Sequence, residues 1–198
     1  DKTKYNGFRI HIFKEKWVYV DENNTEFPID KNDFSTTVNG TKITFDCVFN
    51  AIHGTPGEDG LMQAYFELIG MPQSSCDYYQ AALTFNKRDM LSVLKPYGIK
   101  TATSYYLNKG EHIDTDEIVK KVGLPCFVKP NKSGSSFGIS KVKTAAELPI
   151  AIEVAYKEDN EIIIESFLDG TEVSVGVIKN KKKITVLPIT EIVSENDF

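Results

Sequence analysis

The sequence predicts an α/β layer followed by an α+β domain with an antiparallel sheet, and three patterns carry this prediction. An apolar stretch at 43–52 runs into a glycine-rich loop and then into helical spacing, the order typical of a parallel α/β unit. From Cys126 onward, short apolar runs alternate with turn residues, as in an antiparallel sheet. The run at 126–128 ends in Lys129, Pro130 and a glycine/serine loop. With 198 residues, the chain has room for one or two domains.

The elements of the first part follow from residue spacing. Apolar residues alternate with polar ones at 8–12, which predicts a strand, and 17–20 predicts a second. Helical spacing over 61–69 predicts a helix that Gly70 ends. A further helix is predicted over 86–95. A domain boundary is expected within 84–100, which gives domains 1–86 and 87–198.

The second part reads as a series of strands with two helices. A strand is predicted at 103–107, a helix capped by Asp114 follows, and another helix begins near Pro149. Strands are then predicted at 139–142, 161–168, 172–178 and 184–193. Asp169-Gly170 and the lysine-rich segment 179–183 are predicted to be hairpin turns.

Composition and charge exclude several classes of protein. The net charge of −5 and a pI of about 5.3 indicate neither a nucleic-acid nor a membrane surface. No apolar run is long enough to span a bilayer. The three cysteines form no C-x-x-C pair; Cys47 and Cys126 lie in apolar runs and are expected to be buried, and this sparse count suits a reducing cytosol. The chain begins at Asp1 and stops at Phe198 without a terminating pattern, so we expect a piece of a longer protein.

A lysine at a strand end beside a glycine/serine loop is suited to holding phosphate, because it adds a point charge to backbone N–H groups. The loop is not a P-loop, since no Gly-Lys pair closes it, and G-x-G-x-x-G is absent. Residues 134–138 match the G-x-S-x-G elbow of hydrolases, but all three histidines precede them, which disfavours that alternative. A plain surface turn remains the other alternative.

Four segments together resemble the D-alanine–D-alanine ligases of the ATP-grasp superfamily. They are HGTPGEDGLMQAYFELIGMP (53–72), Asn86-Lys87, CFVKPNKSGSSFGISKV (126–142) and IIIESFLDGTEVSVGV (162–177). The resemblance implies a partial N-terminal Rossmann-like (pre-ATP-grasp) substrate domain over 1–86. It also implies an ATP-grasp domain over 87–198 that lacks its C-terminal part.

The resemblance implies ATP-dependent ligation of two D-alanine molecules, through an acyl phosphate, for peptidoglycan precursor synthesis. It further implies a cytoplasmic enzyme that uses Mg²⁺ or Mn²⁺, binds D-alanine and ATP, contacts neither nucleic acid nor membrane, and is a homodimer when intact. The metal ligands and the arginine that stabilises the oxyanion would lie outside this chain. The chain alone is therefore predicted to be inactive.

Residue roles are carried over from the resemblance position by position. Lys87 and Lys129 would contact the phosphates, and Ser135 and Ser136 would lie in the loop over them, with Ser135 also a catalytic residue that hydrogen-bonds the first substrate. The adenine-binding hinge would be Glu165, Ser166, Phe167 and Leu168, although many relatives have lysine where Ser166 stands.

Three further residues are implied by the same resemblance. Glu172 would bind the ribose hydroxyls, His53 would orient the first D-alanine as a catalytic group, and Glu58 would organise its loop. A structural histidine and a helix-start acid are the simpler alternatives for the last two. The other functions considered are a D-Ala–D-lactate or D-Ala–D-serine ligase, a non-catalytic nucleotide-binding module, and a structural domain.

Overall fold

The computed structural model describes residues 4–180 and 183–193. The chain forms two compact units that divide between Phe85 and Asn86. Each unit has its own sheet and its own hydrophobic core.

The first unit contains a five-stranded antiparallel sheet in which each strand pairs with the next along the chain. Two helices follow the sheet. The strands are β1 (Arg9–Phe13), β2 (Lys16–Val20), β3 (Glu26–Asp30), β4 (Ser35–Val38) and β5 (Thr41–Ile43), and the helices are α1 (Leu61–Leu68) and α2 (Tyr78–Phe85). The strands predicted at 8–12 and 17–20 and the helix predicted at 61–69 are confirmed, whereas α2 was not predicted.

Aromatic side chains fill the core of this unit. Phe34 is 2% exposed, and its ring lies edge-on to Phe66, with 5.0 Å between centroids, and to Phe45 at 5.7 Å. Met62 and Phe66, on one face of α1, are buried in the same cluster. The one-sided apolar pattern of α1 therefore packs the helix against the residues of the sheet.

The predicted parallel α/β layer is wrong, and with it the Rossmann-like first domain. In place of a buried strand at 43–52, β5 ends at Ile43, and Val48 makes a single parallel bridge, to Gln73. Phe49 is exposed, and so is Cys47, which we had expected to be buried. A parallel strand needs neighbours on its edges and covered faces. The described part of this unit gives the stretch 43–52 only that single parallel bridge, so no parallel sheet forms.

The second unit is built on a four-stranded, fully antiparallel sheet in the order β6-β9-β7-β8. Its strands are β6 (Ser104–Asn108), β7 (Cys126–Pro130), β8 (Ser140–Val142) and β9 (Glu161–Ser166), and its helices are α3 (Lys87–Leu94), α4 (Thr115–Val122) and α5 (Leu148–Ala155). The predicted antiparallel sheet is confirmed, as are the three helices. Gly123 follows α4, and the Asp114 carboxylate caps this helix by accepting the Glu117 N–H at 3.0 Å.

The core of the second unit lies on one face of the sheet. Alternate residues of β7 (Cys126 and Val128) and of β9 (Ile162 and Ile164) are buried there beside α4 and α5. Cys126 is thus buried as expected. Because side chains alternate across a strand, Phe127 and Lys129 lie on the opposite face.

A separate two-stranded hairpin ends the described part of the chain. It consists of β10 (Val173–Asn180) and β11 (Lys183–Glu191), which pair with each other from Asn180 opposite Lys183. The strands flanking 179–183 thus meet as predicted, although Lys181 and Lys182 lie outside the described residues. The predicted Asp169-Gly170 hairpin is wrong, because β9 pairs with β6 and β7 and β10 pairs with β11.

Candidate functional site

Lys129 is held against the neighbouring strand. Its Nζ donates to Glu165 Oε2 on β9 at 2.8 Å, and the side chains are 27% and 14% exposed. The ammonium also lies 5.4 Å from the centre of the Phe127 ring. The β-ladder fixes this geometry, since Phe127 is directly opposite Glu165 and Lys129 opposite Ile163. The ion pair places a partly shielded positive charge at the start of the glycine/serine loop.

Lys87 brings a second positive charge to the same region. It is the first residue of α3, and its Nζ donates to the Ser133 carbonyl at 2.8 Å and to the Asn131 carbonyl at 3.3 Å. Burial, and next the like charge of Lys129, lowers the pKa of the Lys87 ammonium below its ordinary value. The fold therefore brings two lysine ammonium groups, one from β7 and one from α3, close enough for their like charges to repel each other.

The loop between β7 and β8 presents backbone N–H groups. Ser135 and Ser136 adopt left-handed conformations, with φ of 50° and 58°. No described residue accepts a hydrogen bond from the N–H of Gly134, Ser135 or Ser136. Both serines are exposed. Successive N–H groups of this kind, in a loop whose Ser133 carbonyl accepts from the Lys87 ammonium, are donors that suit an anion.

The hinge segment, 165–168, continues from β9. The Ser166 hydroxyl accepts the Thr103 N–H at 3.0 Å, and its own N–H donates to the Thr103 carbonyl. Phe167 donates its N–H to the Pro125 carbonyl, whereas the Leu168 N–H has no acceptor among the described residues. The Ser166 side chain is thus used within the fold.

The remaining predicted residues lie elsewhere. Glu172 precedes β10, is exposed, and accepts the Ile192 N–H through its carbonyl. In the first unit, Glu58 accepts the Gly54 N–H at 2.6 Å, and its other carboxylate oxygen is 3.9 Å from His53 Nδ1. The His53 side chain is 86% exposed. The roles proposed for His53, Glu58 and Glu172 stay predictions.

The described residues contain neither a metal-binding cluster nor a helix that could span a membrane. Over residues 4–180 and 183–193, no cluster of three or more His, Cys, Asp or Glu side chains is placed to hold a metal ion. In the same residues, no helix combines the length and the apolar character that crossing a membrane requires.

Comparison with known proteins identifies the family. The model of the family described as "D-ala D-ala ligase C-terminus" matches residues 93–198. The chain belongs to the D-ala D-ala ligase family. The resemblance seen in the four sequence segments is thereby confirmed.

Individual relatives agree with this family. The D-alanine–D-alanine ligase of Flavobacterium johnsoniae is 88% identical over the whole chain, which spans 61% of that relative's length. The crystal structure of D-alanyl-alanine synthetase A from Vibrio cholerae matches 96% of the chain and 57% of its own, at 26% identity and a TM-score of 0.84. The VanG D-Ala:D-Ser ligase from Enterococcus faecalis matches 96% of the chain and 61% of its own, at 29% identity and a TM-score of 0.81.

Sequence reasoning missed one residue of this region. Asn131 is 1% exposed, and its side chain donates to Asn86 at the start of α3. The two residues are 45 positions apart in the sequence. The side-chain contact between Lys129 and Glu165 was also missed. The signal available was the position of Asn131, directly after the Lys-Pro pair, but nothing in the sequence shows which helix faces it.

Proposed function

We propose that this chain is the nucleotide-holding part of an ATP-dependent D-alanine–D-alanine ligase with an ATP-grasp central domain. The observation that carries the proposal is the meeting of two ammonium groups, Lys87 and Lys129, at a loop with three N–H groups that find no acceptor among the described residues. Opposite charge and aligned N–H donors are what a nucleotide phosphate tail requires. Family membership supports the same reading.

The proposed reaction has two steps. A carboxylate oxygen of the first D-alanine attacks the γ-phosphorus of ATP, and the bond to the β-phosphate oxygen breaks, with its electron pair leaving on ADP. The amine of the second D-alanine then attacks the carbonyl carbon of the acyl phosphate. A tetrahedral intermediate forms and collapses, phosphate leaves with the electron pair of the C–O bond, and the amine proton goes to solvent. Both steps depend chiefly on positioning and charge neutralisation.

The proposed roles in this chain concern binding. Lys87 and Lys129 neutralise phosphate charge, and Ser135 and Ser136 close the loop over it. Residues 165–168 bind adenine through the backbone, where the unused Leu168 N–H is a free donor among the described residues. Glu172 binds the ribose. In the first unit, His53 orients the first D-alanine and Glu58 holds the His53 loop.

The expected Mg²⁺ or Mn²⁺ has no set of ligands among residues 4–180 and 183–193. None of these residues is therefore proposed as a metal ligand. For the whole protein we propose a cytoplasmic homodimer that makes a peptidoglycan precursor. D-Alanine is the favoured second substrate, because the 88% and 61% identical relatives are both named D-alanine–D-alanine ligase.

The experiment measures ADP binding by calorimetry and D-alanine-dependent phosphate release on the native polypeptide that carries these residues. Lys129→Met is expected to weaken ADP binding by roughly 10- to 100-fold, because a charge-assisted contact is lost. Lys120→Met, at an exposed position on α4, is the matched control and leaves affinity unchanged. Equal ADP affinity in the Lys129 and Lys120 variants would overturn the phosphate-binding role.

A further inference from the structure

Asn131 makes hydrogen bonds with every polar atom it has. Its Nδ2 donates to Asn86 Oδ1 at 2.9 Å and to Glu161 Oε2 at 3.2 Å, and its Oδ1 accepts the Arg88 N–H at 2.9 Å. Its backbone N–H donates to the Glu161 carbonyl, and its carbonyl accepts from Lys87. The amide fits in one orientation, because the reverse would set its NH₂ group against the Arg88 N–H.

These contacts build the start of α3. Counted from the N-cap, the first four N–H groups of a helix have no partner within the helix, and in α3 the last three of these belong to Lys87, Arg88 and Asp89. Here the Lys87 N–H donates to the Asn131 carbonyl and the Arg88 N–H to the Asn131 side chain. The Asp89 N–H donates to Asn86 Oδ1, and Asn131 in turn donates to that same oxygen. One residue at the end of β7 thus satisfies, directly or through Asn86, the donors of the first turn.

The same contacts fix the position of the Lys87 side chain. The backbone of Lys87 is bound to the Asn131 carbonyl, and its ammonium turns back to that carbonyl and to Ser133 in the loop. Asn131 is itself anchored on the opposite side by Glu161 of β9. Hydrogen bonds to the residues that follow β7 therefore hold the Lys87 ammonium close to the strand that carries Lys129.

We infer that Asn131 is a positioning residue: its side chain locks the first turn of α3 to the end of β7, so that the Lys87 ammonium meets the nucleotide phosphates at the loop. This inference rests on the proposed nucleotide-binding function. Asn131 does not contact the nucleotide, and its effect passes through Lys87. The competing explanation is that Asn131 supports only the stability of the fold.

The experiment compares ADP with adenosine, which lacks phosphate, by calorimetry on the native polypeptide. Asn131→Ala is expected to weaken ADP binding by roughly tenfold, the size of a lost or misplaced charge-assisted contact, and to leave adenosine binding within about twofold. Ile118→Val, a truncation in the core of the same unit, is the control for general loss of stability and leaves both affinities unchanged. An equal loss for ADP and adenosine would overturn the inference.

A double-variant cycle tests the route through Lys87. Lys87→Met and Asn131→Ala together are expected to weaken ADP binding no further than Lys87→Met alone, because interacting residues are not additive. If the affinity loss of the double variant equals the product of the losses in the two single variants, Asn131 acts independently of Lys87, and the inference is refuted. Should Asn131→Ala fail to fold, Asn131→Ser serves in its place, since its hydroxyl is too short to hold both Asn86 and Arg88.

The outcomes separate this inference from the proposed function. If the wild-type protein binds ADP no better than adenosine, the phosphate site itself is refuted, and the inference falls with it. If the wild type prefers ADP and Lys87→Met removes that preference, but Asn131→Ala keeps it, only the positioning role of Asn131 is refuted.

Discussion

Two ion pairs of the chain illustrate how single residues depend on their surroundings. The side chains of Lys129 and Glu165 are mostly buried, so removal of either partner leaves the other charge unpaired in a poorly solvated position. Asp33 and Lys42 are more open, with side chains 43% and 58% exposed. Asp33 Oδ1 also accepts the Ser35 hydroxyl at 2.6 Å. The first pair is suited to a binding site, and the second stabilises the turn that follows β3.

The Asp33 pair makes stability depend on acid pH. The hydrogen bond from Lys42, and next that from the Ser35 hydroxyl, lowers the pKa of the Asp33 carboxyl from 3.8 to about 2. The folded protein therefore holds the carboxylate form more strongly than the unfolded chain does. This contribution is present above pH 3.8 and is lost as the pH falls through about 2.

We expect Asp33→Asn to lower the melting temperature at pH 7, and the difference from wild type to shrink as the pH falls from about 4 to 2. Thermal unfolding followed by circular dichroism over this range measures it. Asp46→Asn, at an exposed position in the same unit, is the control for the loss of one negative charge. A difference between wild type and Asp33→Asn that stays constant from pH 5 to 2 would contradict the assignment.

Among the elements, the glycine/serine loop depends most on local backbone geometry. Its end, Gly138, has φ of +71°, and a Cβ there would lie 2.8 Å from Pro130 Cγ and from Glu158 Cγ. The loop thus returns closely over the strand it left. Gly98 has the same φ of +71°, but a Cβ there would meet nothing within 4 Å. Comparison of Gly98 with Gly138 therefore separates the cost of backbone strain from the cost of steric contact.

We expect Gly98→Ala to cost about 1 kcal/mol of unfolding free energy, from the left-handed conformation alone. Gly138→Ala should cost roughly 1–3 kcal/mol more, because the methyl group overpacks against a proline ring. Urea denaturation of the two variants measures the difference. Equal losses would show that the loop moves freely away from Pro130.

The elements also show where sequence reasoning succeeds. Asp114 and Glu117 predicted the start of α4, and the short apolar runs after Cys126 predicted an antiparallel sheet, because these signals are local. The stretch 43–52 misled, because strand pairing depends on distant neighbours that an apolar pattern does not reveal. Asn131 was missed for the same reason, since its partners lie on another element.

Over the whole molecule, the described residues divide unevenly between buried and exposed structure. In β9, Ile162, Ile163 and Ile164 are at most 1% exposed. Every described residue of β10 and β11 is exposed, although both strands carry large apolar side chains. Within the described residues, these two strands hydrogen-bond only with each other. Because a lone two-stranded hairpin is marginally stable in water, its local stability should lie far below that of the four-stranded sheet.

We therefore expect amide hydrogen exchange, corrected for intrinsic rates, to be at least about a hundredfold slower in β9 than in β10 and β11 of this 198-residue chain. Ile163→Val is expected to speed exchange in β9 and leave the hairpin rates unchanged, because the two sheets share no backbone hydrogen bond among the described residues. Protection of the hairpin equal to that of β9 would mean that other residues cover its apolar side chains. If Ile163→Val speeds amide exchange equally in β9 and in the β10–β11 hairpin, the two sheets unfold as one cooperative unit.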